Sequence, residues 1–444
     1  MEIISYPQSP LFSFQMEYEE THAHLQVHEN TTIPIIIHGD DSSNDCVYMD
    51  TTVSFPDIGY CDASLVHDMV SHDSSQMENL VPIQENSLSD LFLAGAEAIE
   101  AKNLHLAYAV ITKLDDLLFA QDNAGNSLNQ SAYYFTRGLR SRIAGNDAHR
   151  SSYSVSHASM YDHMSAYQMV QELSPYVKFA HFTANQAIFE ATRGDREIHV
   201  IDFDLMEGIQ WPPLMVDLAC RGGTSLWITA VVKDGDFDLV RRTERRLSEF
   251  ADSINLPLRF DWVLLENLEG IEQGEGCLIV NCMVHQLQYP TRSYKSLNAL
   301  LYGVMKLNPK MVILVEEELF RFKSRPFNSF VEFFCEALHH YSAMIESLGN
   351  GFHGGYEVGL RMVEREMVGP KIEDSVGQFP FREGGFLELE GFKPMALSSC
   401  NVAQAKFLVG LFSRGYRVLQ QEKGRLALCW KSRPLTSASI WVSS

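Results

Sequence analysis

Between Ile198 and Trp211 the sequence reads IHVIDFDLMEGIQW, which gathers an imidazole, three carboxylates, an amide and an indole in a short span. Asp202, Asp204, Gln210 and Trp211 fall where a strand would meet a helix, and there they could hold a small ligand or a partner loop. The structural alternative is that the carboxylates cap the helix start while Trp211 fills an interface between lobes. His199 lies between Ile198 and Val200 inside the strand. No serine or cysteine nucleophile motif accompanies it, so it reads as a satisfied core histidine rather than a base.

Three other groupings carry possible chemistry. Arg241, Arg242, Arg245 and Arg246 form the only dense basic cluster. On a helix they stack at i, i+4 while Leu239, Thr243, Leu247 and Phe250 turn inward. That arrangement suits a DNA backbone contact or part of a nuclear-entry signal, or a solvated face paired with Glu244 and Glu249. The solvated face is the expectation, because four arginines do not offset an acidic chain. His22, His24 and His28 have the residue type of a metal site but no ordered framework to fix ligand geometry. Gly349, Gly351 and Gly354 have dinucleotide-motif spacing but follow a helix rather than a strand, so a flexible loop is expected.

The elements that would position these residues are legible from pattern. Glu197–Ala219 reads as a buried strand, Ile198 to Ile201, running into a helix with Pro212 and Pro213 near its first turn. SLWITAVVKD, LRFDWVLL, GCLIVNCMV and KMVILVEEE read as further strands. Helices are expected at FDLVRRTERRLSEFADSINL, SYKSLNALLYGVMKLNP and PFNSFVEFFCEALHHYSAMIESL. The alternation implies a parallel sheet with helices on both faces. FKPMALS, NVAQAKFLVGLF and YRVLQQEKGRLALCWKSRP then read as strand, helix and antiparallel hairpin. The fold class is therefore α/β, a methyltransferase-like, Rossmann-type, mainly parallel sheet closed by an antiparallel C-terminal hairpin. Such a scaffold holds a nucleotide or adenosyl cofactor on glycines after its first strand. Here that turn reads Asp202-Phe203-Asp204-Leu205-Met206-Glu207-Gly208, with one glycine among bulky residues. No cofactor and no catalysis are expected of it.

Residues 86–194 read as a helical cap. Leu88, Leu91, Phe92, Ala96 and Ile99 repeat at helical spacing, and Leu104 to Leu118 resumes the pattern after Asn103, giving a helical hairpin. A third helix ends at Gly145, and two more, from Ser165, are split at Pro175. Leu114-Asp115-Asp116-Leu117-Leu118 matches the Leu-x-x-Leu-Leu spacing, which core packing also produces. The stripe of Leu88, Leu91, Val110, Leu114, Leu117 and Leu118 is the candidate partner surface.

Residues 1–85 contain 15 Asp and Glu and no Lys or Arg, against a net charge of −22 for all 444 residues. Their apolar residues, such as Phe12, Phe14 and Tyr18, have no sustained period, so a disordered acidic tail of the activation type, or a plain solvated one, is expected. An acidic chain is a poor general ligand for DNA. The eight scattered cysteines suggest reduced thiols in an intracellular protein. MEIISYPQSP lacks the basic start of a secretory signal, and no aliphatic run approaches the roughly 20 residues of a membrane span.

Taken together, EIHVIDFDLMEGIQWPPLM resembles the Val-His-Ile-Ile-Asp motif of the GRAS family of plant transcriptional regulators, with Ile198-His199-Val200-Ile201-Asp202 as its core. FAHFTANQAIFEA resembles the segment before that motif, and LAGAEAIEAKNLHLAYAVITKLDDL the family's first leucine-rich region. GFKPMALSS through CWKSRPLTSASIW resembles its closing region, with Ser439-Ile440-Trp441 for Ser-Ala-Trp. The resemblance spans residues 86–444, with 195–444 as the α/β core, and is nearest to the nodulation-signalling, Scarecrow-like branch. It implies a nuclear regulator or coactivator that forms a heterodimer with another GRAS protein through the helical cap. It also implies a role in symbiosis or strigolactone-related gene control, transcription machinery as the tail's partner, and indirect or weak DNA contact. The alternative is a diverged methyltransferase-like enzyme or small-ligand-binding protein.

Overall fold

A computed structural model describes residues 88–444 apart from 121–126, 145–156, 233–236, 265–270, 272–273, 275, 284–302, 304, 321–326, 353–355 and 380–390. The acidic tail, its three histidines and most of the helix expected over 293–309 lie outside the described residues. The described part begins with helices α1 (Leu88–Glu100), α2 (Leu104–Ala120), α3 (Ser127–Ala144), α4 (His157–Leu173) and α5 (Pro175–Ala191). α1 and α2 form the expected hairpin. Lys102 turns the chain between them at a φ of 58°, and Asn103 Oδ1 accepts from Leu106 N at 3.2 Å. α4 begins at His157, earlier than Ser165, because its first turns lack an apolar repeat. Ser174 caps α5 by accepting from Tyr176 N at 3.1 Å, with Pro175 at the first helical position.

Strands and helices then alternate: β1 (Glu197–Asp202), α6 (Trp211–Arg221), β2 (Ser225–Val232), α7 (Phe237–Ser253), β3 (Leu258–Leu264), β4 (Cys277–Met283) and β5 (Met311–Glu317). α8 (Phe330–Gly351) follows, then α9 (Glu357–Val363), a π turn (Glu364–Val368) and α10 (Gly369–Gln378). The chain continues through β6 (Phe392–Met395), α11 (Ser399–Gly410), β7 (Tyr416–Gln420), β8 (Leu426–Trp430) and β9 (Arg433–Ser443). The strands make one sheet in the order β3-β2-β1-β4-β5-β9-β8-β7, with β6 also paired to β9. β1 to β5 are parallel, and β6 to β9 join antiparallel. The fold is thus α/β with a mainly parallel, Rossmann-like sheet. The aliphatic runs of β2, β4 and β5 are those of strands covered on both faces.

Two sequence expectations change. The C-terminal hairpin is β7 and β8, but a third strand, β9, inserts between β8 and β5. Its Thr436, Ser437 and Ser439 are buried, and two of these hydroxyls donate to β5 carbonyls, Thr436 to Glu316 at 2.9 Å and Ser439 to Leu314 at 3.4 Å. Small polar residues thus mask a central strand. Second, α8 runs through Gly349 and Gly351, so these are helical rather than loop residues, while Gly354 lies outside the described residues. A Cβ on Gly351 would sit 2.2 Å from Leu173 O, so glycine here serves close contact between α8 and the end of α4.

One hydrophobic core runs from Leu91 of α1 through α5, the sheet and α8 to Ile440 of β9. A smaller cluster on the other face of the sheet includes Ile201, Phe203, Val280, Leu314 and Trp441.

Candidate functional site

In open α/β sheets, ligands lie where the strand order reverses, outside the carboxyl ends of the strands. In this sheet the reversal falls between β1 and β4. Asp202 ends β1, and its register partner on β4 is Asn281. Asp202 Oδ1 accepts from Asn281 Nδ2 at 3.1 Å and from Asp204 N at 3.0 Å, while Oδ2 accepts from Trp211 Nε1 at 2.9 Å. Asn281 and Gln210 exchange amide hydrogen bonds at 3.0 and 3.3 Å. Gln210 also donates to Asn185 Oδ1 at 3.2 Å, and Asn185 Nδ2 returns a bond to the Gln210 carbonyl at 2.7 Å. Asp202, Gln210, Asn281, Asn185 and Trp211 are all buried. The crevice is filled by a satisfied polar network of the chain's own side chains.

The turn after β1 is equally closed. Gly208 N donates to Leu205 O at 2.7 Å and Trp211 N to Gly208 O at 3.0 Å, so those amides are not turned toward a phosphate. Gly208 has a φ of +69°, and a Cβ there would meet Thr243 Cγ2 at 2.8 Å. Its glycine therefore serves the approach of α7, not of a ligand. α7 pins the turn further. Thr243 Oγ1 donates to Met206 O at 3.2 Å, and Arg246 donates to Glu207 O at 2.9 Å. Gln168 Nε2 of α4 donates to Glu207 Oε2 at 3.0 Å.

Several site expectations need correction. Asp202 does not cap α6: its oxygens aim across the sheet at Asn281 and at the indole, and Gln210 at the cap position makes no side-chain cap bond. Arg246 is half-buried and bound to the turn, whereas Arg241, Arg242 and Arg245 are exposed. Only those three remain for an outside contact. Leu91, Val110 and Leu114 are buried in the chain's own core because α1 and α2 pack on each other and on α3, so they offer no surface. Leu88, Leu117 and Leu118 are half-buried at its edge. Among the described residues, the exposed large apolar side chains of α1, α2 and α3 are instead Leu93, Leu104, Leu106, Tyr108 and Tyr133. Asn185 and Asn281 were missed. For Asn281 the signal was a lone amide inside the apolar run LIVNCM, which a buried position tolerates only with partners, whereas Asn185 in FTANQAIF stands beside Gln186 and carries no such signal.

His199 is buried and half satisfied. Its ring stacks on Trp227 at 3.7 Å, and Trp227 in turn lies under the Arg259 guanidinium at 3.8 Å. The three are register neighbours across β1, β2 and β3. Asp261 Oδ2 ties the stack, accepting from Trp227 Nε1 and Arg259 Nε, each at 2.8 Å. His199 Nε2 meets Thr229 Oγ1 at 2.8 Å, while Nδ1 has no partner. Burial, with Arg259 adding to it, pushes its pKa down to about 4, so the ring is neutral at physiological pH.

A buried ionic cluster lies at the end of β5. Glu317 meets Lys371 of α10, and also His340 Nε2 of α8 at 3.0 Å. Burial pushes the carboxyl up, but Lys371 and His340 outweigh it and hold Glu317 below the usual carboxylate range. Among the described residues no group of three or more His, Cys, Asp or Glu could hold a metal ion, and no helix is long and apolar enough to cross a membrane.

Comparison with known proteins gives one consistent result. The GRAS domain family profile matches residues 88–442. The chain is 37% identical over 387 residues to Protein NODULATION SIGNALING PATHWAY 2 of Lotus japonicus, covering 80% of this chain and 76% of that protein. The protein of the same name in Medicago truncatula is 38% identical over 394 residues, with the same coverage. Scarecrow-like protein 26 of Arabidopsis thaliana is 33% identical over 389 residues, covering 80% and 78%. The crystal structure of SCL7 from Oryza sativa superposes with a TM-score of 0.64 at 27% identity, covering 80% of this chain and all of that one.

Proposed function

Since the chain belongs to the GRAS domain family, we propose that it is a non-enzymatic regulator of transcription, acting in the nucleus of a plant cell by pairing with a second GRAS protein. The observation that carries the reading is the filled crevice at the β1–β4 reversal. Both oxygens of Asp202 and the amides of Asn281 and Gln210 are spent on one another where a cofactor would otherwise lie. The names of the relatives support a place in nodulation signalling or a neighbouring symbiotic or strigolactone-related programme.

The helical cap, residues 86–194, supplies the pairing surface. Leu104 and Tyr108 lie one turn apart on α2 and are 50% and 53% exposed, and Leu106 adds to them. They take the role first expected of the buried stripe. The acidic tail, residues 1–85, contacts transcription machinery. Arg241, Arg242 and Arg245 add at most a weak, salt-sensitive DNA contact, and sequence recognition comes from the partner.

Two measurements test this. The fluorescently tagged full chain should concentrate in nuclei and raise reporter output only when a partner GRAS protein is co-expressed. S-adenosylmethionine, which at about 100 times its Kd would stabilise a true binder by about 2.7 kcal/mol, should leave the melting midpoint unchanged. A shift with that ligand, or full reporter output without a partner, would return the methyltransferase-like or ligand-binding alternative to the front.

A further inference from the structure

The outer face of α11 departs from the usual character of a surface helix. Val402, Ala405, Leu408 and Val409 are buried, and α11 packs against α5 and β7. The opposite side should be polar. Instead Cys400, Ala403, Phe407 and Leu411 lie along it, all exposed, at spacings of three and four residues. Phe407 is 52% and Leu411 47% exposed. The stripe is about 16 Å long at 1.5 Å per residue, three turns of helix.

The element that presents this stripe is held firmly. Ser398 caps α11, accepting from Asn401 N at 3.0 Å, and donates to Glu190 Oε1 on α5 at 2.7 Å. Asn401 Nδ2 donates to Thr183 O at 2.9 Å.

The charge along this stretch of the sequence is one-sided. From Gly391 to Gln421 the sequence has Lys393, Lys406, Arg414 and Arg417 and no Asp or Glu, in a chain whose net charge is −22. Lys406 is the only charged residue within α11, and Arg414 follows its C-terminal end. On α5, Lys178 lies 5.4 Å from the Phe412 ring, beside Glu172. The nearby Glu190 is engaged by Ser398 and Gln186.

We propose that the outer face of α11 is a docking surface for an acidic amphipathic helix of a partner protein, its apolar i, i+4, i+7 side chains lying on Phe407 and Leu411 and its carboxylates facing Lys406 and Arg414. Helix-on-groove recognition needs an apolar stripe and flanking charge of the opposite sign, and both are present. A nucleic-acid backbone would match the cations but leave the Phe407–Leu411 stripe without a counterpart. The surface is distinct from α2, so it stands or falls apart from the pairing proposed above.

The test uses the full chain and a fluorescein-labelled peptide of about 18 residues with leucines at i, i+4 and i+7 and glutamates elsewhere, beside a copy with lysines for the glutamates. Anisotropy should show saturable binding of the glutamate peptide that weakens as salt is raised, and little binding of the lysine peptide. Phe407→Ser with Leu411→Ser should weaken binding about tenfold or more, with the melting midpoint nearly unchanged because about half of each residue already faces water. Lys406→Glu with Arg414→Glu should reverse the preference between the peptides. Equal binding of both peptides, binding that survives Phe407→Ser/Leu411→Ser, or no saturable binding would overturn the proposal. Self-association of the parent chain, lost in the Phe407→Ser/Leu411→Ser variant on sedimentation, would assign the face to a second copy and overturn it too.

Discussion

Glu364 opens the π turn between α9 and α10, and its buried Oε1 has no partner in the protein. Burial lifts its pKa to about 7, with Arg361 pulling the other way. On α3, burial and Glu364 together push the Tyr134 phenol up to about 12. The folded chain therefore keeps a proton on Glu364 that the unfolded chain releases near the ordinary value of about 4.3. Stability from this group is complete below that value and is lost as pH rises toward about 7. Glu364→Gln should flatten that part of the pH dependence and stabilise the protein by about 1–3 kcal/mol at pH ~8. Asp374 and Asp217, which burial raises to about 7 and about 6, slope the same way, so the check is the difference between variant and parent melts at pH ~5 and ~8. A difference independent of pH would assign Glu364 no titration in this range. Residues of this kind are hard to read from sequence. Asp202 was visible because it ends the strand pattern Ile198-His199-Val200-Ile201, but its partner Asn281, and Asn185 beyond Gln210, come from other segments, and only the fold brings Asn281 to 3.1 Å from Asp202 and Asn185 to 3.2 Å from Gln210.

At the scale of elements, α2 separates two roles along one helix. Leu114 is fully buried, so Leu114→Ala should cost about 2–5 kcal/mol in a thermal or denaturant melt. Leu104→Ser with Tyr108→Ser should leave that melt nearly unchanged and weaken pairing with a GRAS partner by about 1–3 kcal/mol by calorimetry. Destabilisation by Leu104→Ser with Tyr108→Ser as large as by Leu114→Ala would place both faces in the core. The helical hairpin was legible as an element, but which of its apolar faces is covered was not, because both sides of α2 are apolar and the covering helices, α3 and α8, come later in the chain. β2, β4 and β5 were legible because parallel strands covered on both faces are nearly all aliphatic. The segment from α9 through the π turn to α10 was not. It contains Gly359, Gly369 and Pro370, and it buries Lys371 and Glu373, so neither propensity nor amphipathic period marks it as helical. A Cβ on Gly369 would sit 2.2 Å from the Tyr134 ring, which explains a glycine within this helical run.

Across the whole molecule the charge is divided, with −15 in residues 1–85 and −7 in the remaining 359 (35 basic and 42 acidic). Residues 1–85 have no sustained apolar period and no Lys or Arg to balance their 15 Asp and Glu. Removing residues 1–80 should therefore leave the melting midpoint of the rest unchanged, and limited proteolysis of the full chain should remove that segment first. A segment as resistant to protease as the rest would contradict this. The sheet class was legible at this scale, while the position of the last strand was not. β9 follows every other strand in sequence yet lies between β5 and β8 and also pairs β6. During vectorial synthesis the five parallel strands can assemble as they leave the ribosome, while the β7–β8 hairpin emerges with nothing to join. Until β9 arrives, β5 presents an unpaired edge to the cell, the kind of template that recruits wrong partners and chaperones alike. A chain truncated before residues 433–443 would lack the strand that joins β5 to β8, and its parallel sheet would end at an unpaired β5 edge.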